Sequence, residues 1–290
     1  MTGQAVIRAL HQRGVPVRAL TASGRSAEVL RQCGASEVAH ASFADATRLR
    51  DAMEGVETVL HIPPRMKPDE TANGINVINA AREAGVERIA LHSVINSQVQ
   101  AIRFHTHKRL VEEAAMYSGL PWVIFQPTNY MQNVAWNWKR MMETGEFVFP
   151  YSADVPVSWL DLADYAEAVA NVLVSREYDY GVYECVSTAR PLTRHQLAQI
   201  WSQVTGRPVV ASTMDLDAYM ALPHWHGRDP REMAILRTMF EEFDRHGAPG
   251  GNSKTLAMLL GRKPGSYEEF AARHAAEHGI TTRNIPWRLA

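Results

Sequence analysis

Cysteine is nearly absent. The 290 residues hold two, Cys33 and Cys185, far apart and in neither a C-x-x-C nor a C-x-x-H arrangement. That argues against a disulfide framework and a structural zinc site, and predicts two reduced, buried thiols in a cytoplasmic protein. An excess of charge of either sign is also missing: 30 Lys and Arg stand against 31 Asp and Glu, a formal net charge of -1. Nothing in that balance points to a nucleic-acid or membrane partner. No apolar run approaches the ~18 residues of a membrane span, and Met1 to His11 lacks the basic region and apolar stretch of an export signal. Internal repeats and low-complexity tracts are lacking too. What remains is ordinary globular material, 46% hydrophobic and 21% charged, long enough for one large α/β domain or a nucleotide domain with a smaller lobe.

The first two-thirds alternates short β-rich runs with helical patterns, the signature of a parallel sheet covered on both faces. Strands are expected at Val15 to Leu20, Glu57 to Ile62, Glu87 to His92, Pro121 to Gln126 and Val182 to Ser187, with a weaker one at Glu37 to His40. Val77, Ile78 and Ala81 share a helical face that Gly85 closes, and Gly119 closes the helix containing Lys108. Thr193 with Gln196, and Ser266 with Glu269, have capping-box spacing. The chain therefore reads as α/β: a doubly wound, mostly parallel sheet with a smaller, mostly helical C-terminal lobe beyond roughly Ser212. Residues 1–150 form the nucleotide-binding part, and residues 151–290 combine later sheet elements with that lobe. Residues His246 to Asn252, dense in turn formers, are expected to make a surface loop.

In a dinucleotide-binding fold, the first strand runs through a Gly-rich turn into a helix whose free N–H groups hold the pyrophosphate. Residues Met1 to Ile7 read as the tail of such a turn. Gly3 is its last glycine, Ala5 to Gln12 the helix, and Thr2, Gly3 and Gln4 the pyrophosphate contacts. Gly14 to Leu20 then becomes the second strand, which ends beside the adenosine ribose. On this reading the first strand is not in the sequence. Either residue 1 is an internal methionine of a longer chain, or a shortened product has impaired nucleotide binding.

Val17 to Thr21, Asp51 to Leu60, Ser118 to Pro127 with Asn129 to Asn133, and the D-x-x-D of Asp161 to Asp164 resemble corresponding segments of the NmrA-like family of atypical short-chain dehydrogenases. The resemblance covers roughly residues 3 to 205. It implies a Rossmann-like fold that binds NAD(P), with the missing first strand at the centre of the sheet, so that its neighbours lack a ladder partner. It also implies that Ile62 and Pro63 line the adenine and ribose side of the cofactor, that Pro127 and Asn129 approach the nicotinamide, and that Lys108 holds the nicotinamide ribose.

Reductases of this fold usually pair a Tyr with a Lys four residues later. Here Lys108 is present but Phe104 stands in the tyrosine's place. His105 or His107 are alternative proton donors, or else helix-start surface residues. Lys108 binds the ribose or forms a solvated pair with Glu112. Ser93, closing a strand, bonds a substrate carbonyl or loop backbone. Asn129 meets cofactor or caps a helix. No acid ends the second strand, so NADP(H) is favoured over NAD(H), with Arg18 and Arg25 as the 2′-phosphate partners; Ser42 stands where many relatives carry an adenine-contacting Asp. His224 and His226 lack a third ligand, so no metal site is assigned. Tyr130, Trp136, Trp138 and Trp159 line a substrate pocket or belong to the core.

The leading expectation is an NAD(P)H-dependent reductase of a small carbonyl or quinone, the quinone suiting the missing tyrosine. The alternatives are a regulator that senses NAD(P) without turnover and a paralogue that binds no nucleotide. A homodimer is compatible with the sequence, though no residue marks an interface.

Overall fold

The computed structural model describes residues 1–280 except Ser23, Arg65 and Pro249, together with the backbone but not the side chain of Arg25. Helix α1 spans Thr2–His11 and leads into β1 (Arg18–Thr21), α2 (Ala27–Gln32) and β2 (Glu37–His40). The helices α3 (Ala46–Met53), α4 (Glu70–Glu83) and α5 (Arg103–Met116) alternate with β3 (Thr58–His61), β4 (Arg88–His92) and β5 (Trp122–Pro127). There follow β6 (Asn129–Tyr130), α6 (Ala135–Thr144), β7 (Glu146–Phe149), β8 (Trp159–Leu160), α7 (Leu162–Leu173), β9 (Gly181–Cys185), α8 (Arg194–Thr205) and β10 (Val210–Thr213). The helices α9 (Leu216–Met220), α10 (Pro230–His246), α11 (Lys254–Leu260) and α12 (Tyr267–Glu277) complete the described chain.

All the named ladders are parallel. The principal sheet has the order β3-β4-β5-β9, and β1 pairs only with β2, Arg18 opposite Glu37. Among the described residues the ladder is therefore interrupted between β1 and β3, where the sequence reading leaves each strand without a partner on one side. Alternation sorts the side chains of β4 and β5 to two faces. Ala90, Val123 and Phe125 pack with α1, α7 and α11, while Ile89, Leu91 and Ile124 pack with α3, α4 and α5. Both faces being covered is what lets β4 be a continuous buried run, as the apolar pattern predicts.

All six expected strands form, within a few residues of their predicted ends. Both capping boxes close, Thr193 with Gln196 and Ser266 with Glu269. One expectation needs correction. Helix α1 begins at Thr2, so Gly3 lies inside the helix rather than in a turn. Beyond Ser212 the described chain is helical, as expected; short ladders that the sequence reading did not place pair β10 with β7 and β8 with β6, too brief to show a period in sequence. In the expected surface loop, His246, Gly250 and Asn252 are exposed, while Gly251 packs inward. Gly251 exchanges hydrogen bonds with Ser158 Oγ, and a Cβ there would stand 2.5 Å from Ile95 and 3.0 Å from Val186, so the backbone approach requires glycine.

Buried carboxylates fasten the C-terminal elements to the sheet. Asp161 caps α7, accepts from Gln132 at 2.8 Å and meets the guanidinium of Arg273 on α12. Asp164 accepts from Arg262 at 2.9 Å, Gly265 N at 2.8 Å and Ser187 Oγ at 3.2 Å. At the opposite end of the sheet Arg88, only 1% exposed, pairs with Asp179 at 2.7 Å and donates to the carbonyls of Val172 and Leu173, which end α7. A cation suits a helix C-terminus. Arg88→Met leaves Asp179 with only the more distant Arg176, 3.8 Å away, and should cost about 3 kcal/mol of unfolding free energy by chemical denaturation; a loss below about 1 kcal/mol would refute the clamp.

Candidate functional site

Parallel crossovers bring the C-terminal ends of β3, β4 and β5 to one edge, the usual ligand side of an open α/β sheet. These strands end in His61, His92 and Pro127. The start of α1 lies over the same edge: the nearest atom to a Cβ built on Gly3 is Ile62 Cδ1, 3.9 Å away, and the Thr2 side chain lies beside the Tyr130 hydroxyl. The first intrahelical bond runs from Ala5 N to Met1 O, which leaves the N–H groups of Thr2, Gly3 and Gln4 ahead of the ladder. No side chain caps this end and no acid occupies its first turn. It is an open, positively polarised helix terminus.

At the end of β3 sits His61, a residue the sequence reading passed over, its ring on the sheet face that Val59 and Phe43 share rather than on the α1 face. It is 4% exposed, its ring meets Phe43 edge-on at 5.1 Å, and neither ring nitrogen has a hydrogen-bond partner. An imidazole always carries at least one N–H donor or ring acceptor to satisfy, so burying both nitrogens bare is costly. Burial, reinforced by Lys108, lowers its pKa to about 3, and the ring is neutral. The available signal was a lone polar residue closing the apolar run Val59-Leu60. His92 faces the other side of the sheet, bonded through Nδ1 to Tyr165 Oη at 2.7 Å, and is likewise held neutral by burial and Lys108.

The structure brings Thr2, Gly3, Gln4, Ile62, Pro63, Pro127, Asn129 and Lys108 to this edge or its immediate surroundings, but gives several of them unexpected partners. Lys108 pairs at 2.7 Å with Glu70, buried on α4, and not with Glu112. Glu112 instead accepts from Ser93, from Ser97 at 2.7 Å and from Gln126 at 2.9 Å. Ser93 is 4% exposed, and its hydroxyl serves this node rather than loop backbone. His105 is no surface residue: at 2% exposed it binds the Asn96 carbonyl through Nδ1 at 2.9 Å, and burial lowers its pKa to about 4. It steadies a loop whose Asn96 has a left-handed φ of 53° and reaches Gly250 O.

Asn129 is not a cap; it lies in β6 opposite Trp159. Trp159 is core, Trp138 stacks among His274, His278 and Trp201, and Trp136 is half exposed. Arg18 is a correction. It opens β1 instead of closing it, and its guanidinium is held by Glu37 at 2.6 Å and by the carbonyls of Ala52 and Glu54. The strand's direction puts it at the end away from any ribose. The Arg25 side chain lies outside the described residues. Among the described residues no three His, Cys, Asp or Glu side chains converge to hold a metal ion, and no helix is long and apolar enough to cross a membrane.

The family model for the NmrA-like family matches residues 1–271. The chain belongs to the NmrA-like family. This NmrA-like chain is 27% identical over 282 residues to an NAD(P)H azoreductase of Xenophilus azovorans, covering 96% of each protein. It is 27% identical over 227 residues, 77% of each, to quinone oxidoreductase 2 of Escherichia coli (strain K12). Its fold superposes with a TM-score of 0.79 on the Citrobacter sp. triphenylmethane reductase complexed with NADP(H), at 24% identity over 94% of this chain and 96% of that one.

The neutral state of His61 has a consequence for stability. Its folded pKa, about 3, lies below the ordinary 6.5, so on acidification the unfolded chain takes the proton first. The contribution is full above about pH 6.5 and is lost as the pH falls towards 3, by up to ~1.4 kcal/mol per pH unit. Urea unfolding of His61→Leu between neutral pH and about pH 5 should show an acid slope shallower by roughly that amount; an unchanged slope would mean that the ring is hydrated or partnered in solution.

Proposed function

We propose that the protein is an NAD(P)H-dependent reductase of small electron acceptors, with quinones preferred over simple aldehydes and ketones. The observation that carries this reading is the edge itself: an uncapped helix N-terminus, a buried histidine with two bare nitrogens and a lysine, gathered at the ends of adjacent parallel strands. These residues fit a dinucleotide. The N–H groups of Thr2, Gly3 and Gln4 bind a pyrophosphate, since a helix start favours an anion. His61 supplies a donor and an acceptor to a ribose or amide, and Ile62 and Pro63 provide apolar contact. Bound there, the nicotinamide supplies a hydride.

The choice of acceptor follows from the protonation states. Burial keeps His61, His92 and His105 neutral and pushes the Tyr130 and Tyr165 phenols well above their ordinary range. Phe104 has no proton to give. An alcohol product needs a strong donor at its oxygen, whereas a hydroquinone oxygen is phenolic, with a pKa near the ~10 of tyrosine, and leaves as an anion with far less help. The azoreductase and quinone oxidoreductase named above support the same class.

NADP(H) remains the favoured cofactor because no acid ends β1 at Thr21. With Arg18 engaged elsewhere, Arg25 is the remaining candidate for the 2′-phosphate. Two free, buried cysteines fit a reducing cytoplasm. Steady-state oxidation of NADPH and NADH against benzoquinone, an azo dye and an aldehyde tests the proposal. The quinone should exceed the aldehyde in kcat/KM by roughly a hundredfold, equivalent to about 3 kcal/mol of transition-state stabilisation. Equal rates would overturn the acceptor assignment, and cofactor binding without oxidation by any acceptor would replace the enzyme with a nucleotide sensor.

A further inference from the structure

The C-terminal half buries a cation that has no counter-ion among the described residues. Arg194, the first residue of α8, is 4% exposed. Its guanidinium lies over the rings of Tyr151 at 4.9 Å and Phe149 at 5.5 Å, and Nη2 donates to the Tyr151 carbonyl. The Nε and Nη1 donors have no partner, and among the described residues no carboxylate forms an ion pair with the group. Other deeply buried arginines do not share this state: Arg88 has Asp179 and two helix-terminal carbonyls.

The arginine lines a narrow crevice with Phe147, Val157, Trp159 and Leu197, and Val155 and Leu192 are part-exposed there. Trp159 contributes a second unmet donor, its buried indole Nε1. The walls are otherwise apolar and aromatic. Every unmet polar group in the crevice is a donor, and one donor carries a full positive charge. That combination is complementary to an acceptor-only anion on an apolar body. Burial lowers the Arg194 pKa without a carboxylate to oppose it, which an anion would reverse. A guanidinium keeps its charge even so.

We propose that this crevice is a binding site for a small organic carboxylate with an aromatic or branched apolar body, its carboxylate held by Arg194 and Trp159. The segment carrying Val155 and Leu192 is joined by the Val157–Leu192 backbone bridge and by the exposed His195–Asp154 pair at 3.4 Å. The crevice has no room for even a water molecule in the structure described, so entry of the ligand requires these side chains to part. The crevice adjoins the proposed cofactor edge through Trp159, the ladder partner of Asn129, but the carboxylate assignment stands whether or not the reductase reading does.

Titrating the full chain with 2-naphthoate and with neutral 2-naphthamide, read by tryptophan fluorescence and calorimetry, tests the assignment. The carboxylate should bind the wild type at least about tenfold tighter than the amide, about 1.4 kcal/mol. Arg194→Met should abolish that preference, and Arg194→Lys should retain part of it, because the charge persists while the planar donor set is lost. Equal binding of acid and amide by the wild type, no binding of either, or an unaltered preference in Arg194→Met would overturn the proposal. Should Arg194→Met fail to fold, Trp159→Phe keeps an aromatic ring at the position and removes the indole donor, and 2-naphthamide controls for the lost ring volume. The variant should weaken 2-naphthoate several-fold without affecting 2-naphthamide, and unchanged binding of the acid would count against the site.

Discussion

A parallel ladder cannot be closed by a tight turn, so every strand of β3-β4-β5-β9 must be reached by a crossover that returns to the same end of the sheet. This constraint orders the molecule. It places α4 and α5 on one face with α1, α7 and α11 on the other, and lines up the C-terminal ends of β3, β4 and β5. His61, His92 and Pro127 share an edge for that reason, although they are far apart in sequence. The interruption between β1 and β3 belongs to the same account: the start of α1 still reaches Ile62 and Tyr130 across the edge, even though β1 and β3 do not pair.

Buried carboxylates hold this arrangement in register. Glu112 gathers Ser93, Ser97 and Gln126, tying α5 to the ends of β4 and β5; Glu70 holds Lys108 across α4 and α5. Asp161 and Asp164 bind Arg273 and Arg262, so that the C-terminal helices are fastened to α7. Glu112, Asp161 and Asp164 are each met by several donors and Glu70 by the Lys108 ammonium, the condition under which burying a carboxylate is tolerable. Side chains in these nodes are therefore occupied by structure, and Ser93 and Lys108 owe their positions to them.

The groups without such partners stand out against this background. His61 keeps both nitrogens bare at the strand ends, and Arg194 keeps its charge unpaired beneath β7 and β8. They differ in chemistry. The first is neutral and able to donate or accept, while the second is a permanent cation among aromatic rings, so the two sites call for different ligands.

Local signals were sufficient for most of the architecture. The β-rich runs, the two capping boxes and the glycines ending helices are short-range features, governed by propensity and backbone geometry, and they placed six strands and the principal helices. The short pairs β6-β8 and β7-β10 escaped because two to four residues carry no periodicity. For the site, the residue types at the strand ends were readable, but their partners were not. Lys108 with Glu70, His105 with Asn96 and Arg18 with Glu37 join residues 9 to 38 positions apart, through contacts that depend on how helices pack and which way a strand runs. The sequence by itself determined the fold class, the family and the strand ends that make the candidate edge, because these follow from pattern and order along the chain. Only the tertiary structure decided which polar groups are satisfied and which are left bare, because burial and hydrogen bonding are properties of packed neighbours rather than of residues.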